Sequence, residues 1–127
     1  MLPMDQIQIE RTTGSAPDIT ILKLKGPLTL ATLFDFQNVL REPELKSTII
    51  DFTDVPYMDS GGLGVLLSHW AHTRRIGVKF ALVAMSEKLR VLLEMTKVST
   101  IMPTYPTVAD AERAFASATD SSTVASV

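Results

Sequence analysis

The chain has no cysteine. That removes disulfides, thiolate metal sites and cysteine nucleophiles together, and a reducing, cytoplasmic setting is the expectation. Long hydrophobic runs are missing as well. The apolar stretch Val65 to Leu67 is far short of the roughly 20 residues a bilayer crossing requires, so no direct membrane insertion is expected. Met1 to Glu10 carry no basic start and no apolar block, and export is not expected. Nor is there a basic excess, since 12 Lys and Arg stand against 14 Asp and Glu for a net charge of −2. The nearest cationic cluster, Arg74-Arg75 with Lys79, falls where a helix should end and suits its dipole, so no nucleic-acid partner is expected. There is no internal repeat, and 127 residues suffice for about one domain.

What is present is the composition of a compact folded protein, 46% hydrophobic and 20% charged. Gln6 to Glu10 alternate at period two, Thr12 to Asp18 supply turn chemistry, and Ile19 to Lys25 form the next apolar run, which together predict an opening antiparallel hairpin. Gly26-Pro27 breaks that strand. Within Ala31 to Leu40, the spacing of Leu33, Phe36 and Leu40 predicts a short helix. Thr48 to Phe52 and Val78 to Ala84 read as central strands covered on both faces. Between them Leu63, Leu66, Leu67, Trp70 and Arg74 recur at helical spacing up to Gly77, a left-handed C-terminal cap, giving a strand-helix-strand crossover.

A third helix is predicted from Ser86 as N-cap, with Leu89, Leu92, Leu93 and Thr96 on one side. A short apolar piece around Ile101 and a last helix from Thr107 follow. The fold class is therefore α/β: a mixed sheet of four to five strands opening with an antiparallel hairpin, covered by about four helices, with right-handed parallel crossovers. The domain is expected over 1–116, with 117–127 a flexible tail.

Chemistry concentrates in Tyr57-Met58-Asp59-Ser60-Gly61-Gly62-Leu63-Gly64, where a buried strand hands over to an amphipathic helix. Ser60 should lie at the rim of the sheet, at the mouth of that helix. A nucleophile elbow needs Gly-x-Ser-x-Gly, and Met58 occupies the first glycine position. His69 and His72 stand nine and twelve residues down the same helix, roughly 13 and 18 Å along its axis, too far to act as a base on Ser60. Two histidines without a third ligand make a weak metal signal. Neither a complete dinucleotide fingerprint nor a Walker motif is present, and no cofactor is expected. Asp59 or Ser60 can cap the helix. Gly61 and Gly62 each cost roughly 1 kcal/mol of helix propensity against alanine, which points to close approach of a partner to the backbone.

Met58 to Leu67 closely resembles the phosphorylation-site segment of STAS domains, the anti-sigma-factor antagonist family. The resemblance runs from about Ile19 to Phe115 and includes Leu24-Lys25-Gly26-Pro27-Leu28, the strand end Ile50 to Val55, and the Ser86-x-x-x-Arg90 helix. It implies a STAS-type sandwich that acts as a partner switch and catalyses nothing itself. The unphosphorylated antagonist binds an anti-sigma factor that is a serine kinase with an ATP-binding fold; phosphorylation of Ser60 releases it, and a serine phosphatase restores it. Partner contacts are expected at Met58, Asp59, Ser60, Gly61, Gly62 and Leu63, at Leu28 and Thr29, and at Met85 and Ser86. Of the residues suited to an adaptable contact patch, Met58 and Met85 are placed at the interface and Leu63 and Met95 read better as core. Where the family has acids flanking the leucine of Gly-Glu/Asp-Leu/Ile-Asp, this chain has Gly26-Pro27-Leu28-Thr29. The alternative is a constitutive STAS interaction subunit, for example of a transporter complex, with no phosphorylation switch.

Overall fold

The computed structural model describes residues 6–125, with the side chains of residues 99 and 118–125 excepted. Residues 1–5 of the expected domain and 126–127 of the expected tail lie outside the described residues. Strands β1 (Gln8–Thr13) and β2 (Ile19–Lys25) pair antiparallel, Thr13 opposite Thr20 and Gln8 opposite Lys25. The first strand thus continues two residues into the segment read as turn. The reversal is confined to the residues after it, where Gly14 N–H donates to the Ile19 carbonyl at 2.8 Å and Ile19 N–H to that of Ala16 at 3.1 Å.

From β2 onward the chain winds in parallel: α1 (Leu33–Leu40), β3 (Ser47–Asp54), α2 (Ser60–Ile76), β4 (Phe80–Val83), α3 (Glu87–Met95), a 3-10 turn (Val98–Thr100), β5 (Thr104–Tyr105) and α4 (Val108–Ala125). The sheet order is β1-β2-β3-β4-β5, with every pair after the first parallel. Ile101 follows the 3-10 turn, and the fifth strand begins at Thr104, where it pairs with Leu82. Helix α4 includes residues 117–125 of the expected tail.

Alternation along the strands divides the core in two, because successive side chains point to opposite faces. Leu22, Leu24, Ile50, Phe52, Phe80 and Leu82 meet Leu33, Phe36 and Leu40 of α1, Leu63 and Leu66 of α2, and Leu89 and Leu93 of α3. Ile19, Ile49, Ala81 and Val83 meet Ala111 and Phe115 of α4 on the other face. Strands covered on both sides are buried throughout, as Thr48 to Ile50 and Phe80 to Val83 all are, with Thr48, the polar residue among them, hydrogen-bonded to His69.

Helix ends follow their side chains. Gly77, at φ 77°, ends α2 in the left-handed region and donates to the Thr73 carbonyl. Ser86 caps α3 by accepting the Leu89 N–H at 3.2 Å, and Thr107 Oγ1 accepts the Asp110 N–H at 3.1 Å at the start of α4.

Candidate functional site

Two loops leave the carboxyl ends of β2 and β3 and are stitched together. Gly26 N–H donates to the Asp54 carbonyl at 3.0 Å, Leu28 N–H to that of Tyr57 at 3.1 Å, and Asp59 N–H to that of Leu28 at 3.2 Å. Leu28 and Met58 form a parallel bridge beyond the ends of the strands. Asp59 then becomes the N-cap of α2, in extended backbone conformation, with Oδ1 accepting the Gly62 N–H at 3.1 Å. Its other oxygen, Oδ2, accepts the Leu30 N–H at 3.1 Å. Partial burial pushes the carboxyl up, yet the N–H groups of Leu30, Gly62 and Gly61 outweigh it, and the carboxyl sits below its ordinary value.

The glycines read differently in three dimensions. A Cβ on Gly62 would lie 2.4 Å from the Leu28 carbonyl oxygen and 2.9 Å from Met58 Cγ, and one on Gly61 would lie 3.1 Å from Leu30 Cα. The close approach inferred for a partner is thus made by the chain's own Leu28 to Leu30 loop, a correction that comes from the Leu28–Met58 bridge. Gly64 is different: a Cβ there has nothing within 4 Å, and the residue is exposed. It lies one turn beyond Ser60 on the same side of the helix.

Ser60 is the first residue of α2 and is exposed. Because Asp59 caps the helix, the serine hydroxyl is not committed to capping, and it makes no hydrogen bond among the described residues. His69 is buried, shares a 3.2 Å hydrogen bond between Nε2 and Thr48 Oγ1, and packs edge-on to Phe80 at 5.2 Å. It is a core residue on the same helix, facing the sheet. Burial, with a smaller contribution from His72, pushes its pKa down to about 4. Among the described residues no group of three His, Cys, Asp or Glu is disposed to hold a metal.

The expected contact residues separate into two kinds. Ser60, Asp59 and Gly61 stand at least partly open, as does Thr29, whose Oγ1 accepts the Ala31 N–H at 3.2 Å. Met85 is half-buried and Ser86 exposed, in the loop after the neighbouring strand β4. Leu28, Met58, Gly62 and Leu63 are buried; they support the loops from beneath. The methionine reading is reversed in part, since Met58 is 7% exposed and Met95, at the end of α3, is 76% exposed. The bridge to Leu28 turns Met58 inward, whereas Met95 lies off the Leu89 and Leu93 side of its helix.

Sequence reading passed over Leu30 and Phe34, 66% and 62% exposed. The available signal was their spacing of four, off the Leu33, Phe36 and Leu40 stripe. Leu30 is tied to Asp59, which places it beside the serine, whereas Phe34 lines a separate hollow with Gln6, Ile7, Ala31, Thr32 and Asp35. Near the same loops, an apolar groove of about 280 Å³ runs between Tyr57, Met58 and the α3 residues Leu89, Val91, Leu92 and Met95, with Lys88 at its edge.

Comparison with known proteins agrees with this fold. A Thermotoga maritima protein assigned as an anti-sigma factor antagonist superposes with a TM-score of 0.77 at 24% identity, over 84% of this chain and 93% of its own. An anti-sigma factor antagonist from Mycobacterium paratuberculosis gives 0.77 at 20% identity, over 91% and 98%. The Bacillus cell fate determinant SpoIIAA in its phosphorylated form gives 0.62 at 16%, over 85% and 98%. At these identities the likeness shows a shared fold. The STAS domain family model matches residues 9–111, the span that holds nearly all of the hairpin, the three parallel crossovers and the Asp59-Ser60 helix start, and the chain belongs to the STAS domain family.

Proposed function

We propose that this protein is an anti-sigma-factor antagonist working as a partner switch: it binds an ATP-binding anti-sigma serine kinase while Ser60 is unmodified and is released when Ser60 is phosphorylated. The observation that carries the reading is the division of labour at the helix start, where Asp59 caps and Ser60 is left exposed. The protein is then substrate and ligand, not catalyst. A phosphoryl group brings about −1.5 to −2 charges to a surface flanked by exposed Leu30. A partner seated on a neutral hydroxyl and an apolar side chain meets a large desolvation cost once that charge is present. The helix N-terminus tolerates the same charge, so the fold persists while the interface is lost. A serine phosphatase resets the switch.

Incubation with a cognate anti-sigma kinase and ATP, followed by intact mass measurement, is the direct test. A single phosphate that is absent in Ser60→Ala supports the reading, and full modification of that variant sinks it.

The constitutive subunit remains a second reading because of Gly26-Pro27-Leu28-Thr29. Pro27 is buried with its carbonyl accepting the Thr32 hydroxyl at 2.7 Å, and Thr29 turns toward Ala31, so neither position offers a carboxylate to a kinase. Recovery of membrane-complex components in a pull-down, unchanged by Ser60→Asp, is the outcome that would favour it.

A further inference from the structure

The other end of α2 carries a separate feature. Between α1 and α2 lies a groove of about 270 Å³ lined by Arg41, Arg75, His72, Ser68 and Gln37, with no carboxylate in its lining. Buried Leu40 and Val65 provide an apolar floor. The neighbouring arginines are engaged elsewhere: Arg11 pairs with Glu42 at 2.5 Å, and Arg74 lies 5.2 Å from the centre of the Trp70 ring. Arg41 and Arg75, by contrast, enter no ion pair among the described residues.

The helix ends explain part of this charge. Arg41 is the C-cap of α1 and Arg75 lies in the last turn of α2, where each helix presents roughly half a negative charge. Two full guanidinium charges exceed that and leave a positive surplus facing the groove. Guanidinium forks match phosphate oxygens in pairs, and a serine hydroxyl and a glutamine amide add neutral donors beside them. The volume falls just below the range of about 300–1,000 Å³ common for ligand pockets, which suits a body of few atoms and not a dinucleotide.

We propose that this groove binds a small phosphate monoester, its phosphate held between Arg41 and Arg75 and its organic part laid over Leu40 and Val65. Ser68 and Arg75 stand eight and fifteen residues beyond Ser60, roughly 12 and 22 Å along the helix, so the site is independent of the serine switch and neither depends on the other.

The test is a backbone-amide NMR titration of the full chain with inorganic phosphate and with glycerol 3-phosphate, against sodium chloride at matched ionic strength. Saturable shifts at Gln37, Arg41, Ser68 and His72, tighter for glycerol 3-phosphate than for inorganic phosphate, support the proposal. So does at least tenfold weaker binding in the double variant Arg41→Gln with Arg75→Gln, while Arg74→Gln stays within twofold of the parent. Shifts reproduced by chloride, shifts centred on Ser60 to Leu63, no preference for glycerol 3-phosphate, or indifference to the double substitution would each overturn it.

Discussion

Asp59 and Leu30, 29 residues apart, are joined by a 3.1 Å hydrogen bond from the Leu30 N–H to one carboxylate oxygen, while the other oxygen caps Gly62. One side chain therefore starts a helix and anchors the facing loop. Exposed Leu30 takes its position next to Ser60 from that link.

Asp59→Ala loses both bonds. A lost cap costs about 1 kcal/mol and a charge-assisted bond about as much again, so urea unfolding should show a loss of about 2 kcal/mol. Asp59→Asn keeps one acceptor oxygen for the cap and should lose about half as much; an Asp59→Asn variant as stable as the parent would show that the carboxylate charge contributes nothing.

Gly62→Ala and Gly64→Ala should move stability in opposite directions. The first forces a Cβ to 2.4 Å from the Leu28 carbonyl oxygen and should cost about 2 kcal/mol or more, as overpacking does. The second enters open space and should gain up to about 1 kcal/mol from helix propensity. If Gly64 lies under the kinase, Gly64→Ala will weaken the complex even as the free protein gains stability, a pairing that thermal melts and a binding isotherm measure side by side.

Ser60→Asp should leave the melting temperature within a few degrees of the parent, because the residue is exposed and an acid in the first turn suits the helix dipole. Binding to the anti-sigma kinase should fall at least tenfold. A collapse in melting temperature would instead assign the hydroxyl a structural role.

His69 gives the protein a pH dependence. Its pKa is depressed from 6.5 to about 4, so between those values the unfolded chain binds the proton and the folded chain does not. Stability is complete above pH 6.5 and declines as pH falls toward 4, by at most about 3 kcal/mol. Urea midpoints from pH 4.5 to 7 in the parent and in His69→Gln will show it, with the slope flattened in the variant.

The period-two and period-3.6 patterns located most of the secondary structure, because burying one face of a helix or both faces of a strand constrains residue type directly. The stop at Gly77 and the cap at Ser86 were equally legible, since each rests on a local backbone or side-chain property. The two-residue strand Thr104–Tyr105 was not located, being too short to show any period and held by its pairing with β4. The last two residues of β1 were missed because threonine serves strand and turn alike.

By itself the sequence determined the α/β class, the position of α2 and the presence of an acid-serine pair at its start, all of which follow from neighbours along the chain. Tertiary structure decided what those residues do. Leu28 reaches Met58 and Leu30 reaches Asp59 only when parallel β2 and β3 bring their carboxyl ends together. That pairing buries Met58, explains Gly61 and Gly62 from within the chain, and leaves Ser60 and Gly64 facing outward. Contacts between segments some 30 residues apart leave no periodic trace in sequence, because they depend on strand pairing and not on local conformation.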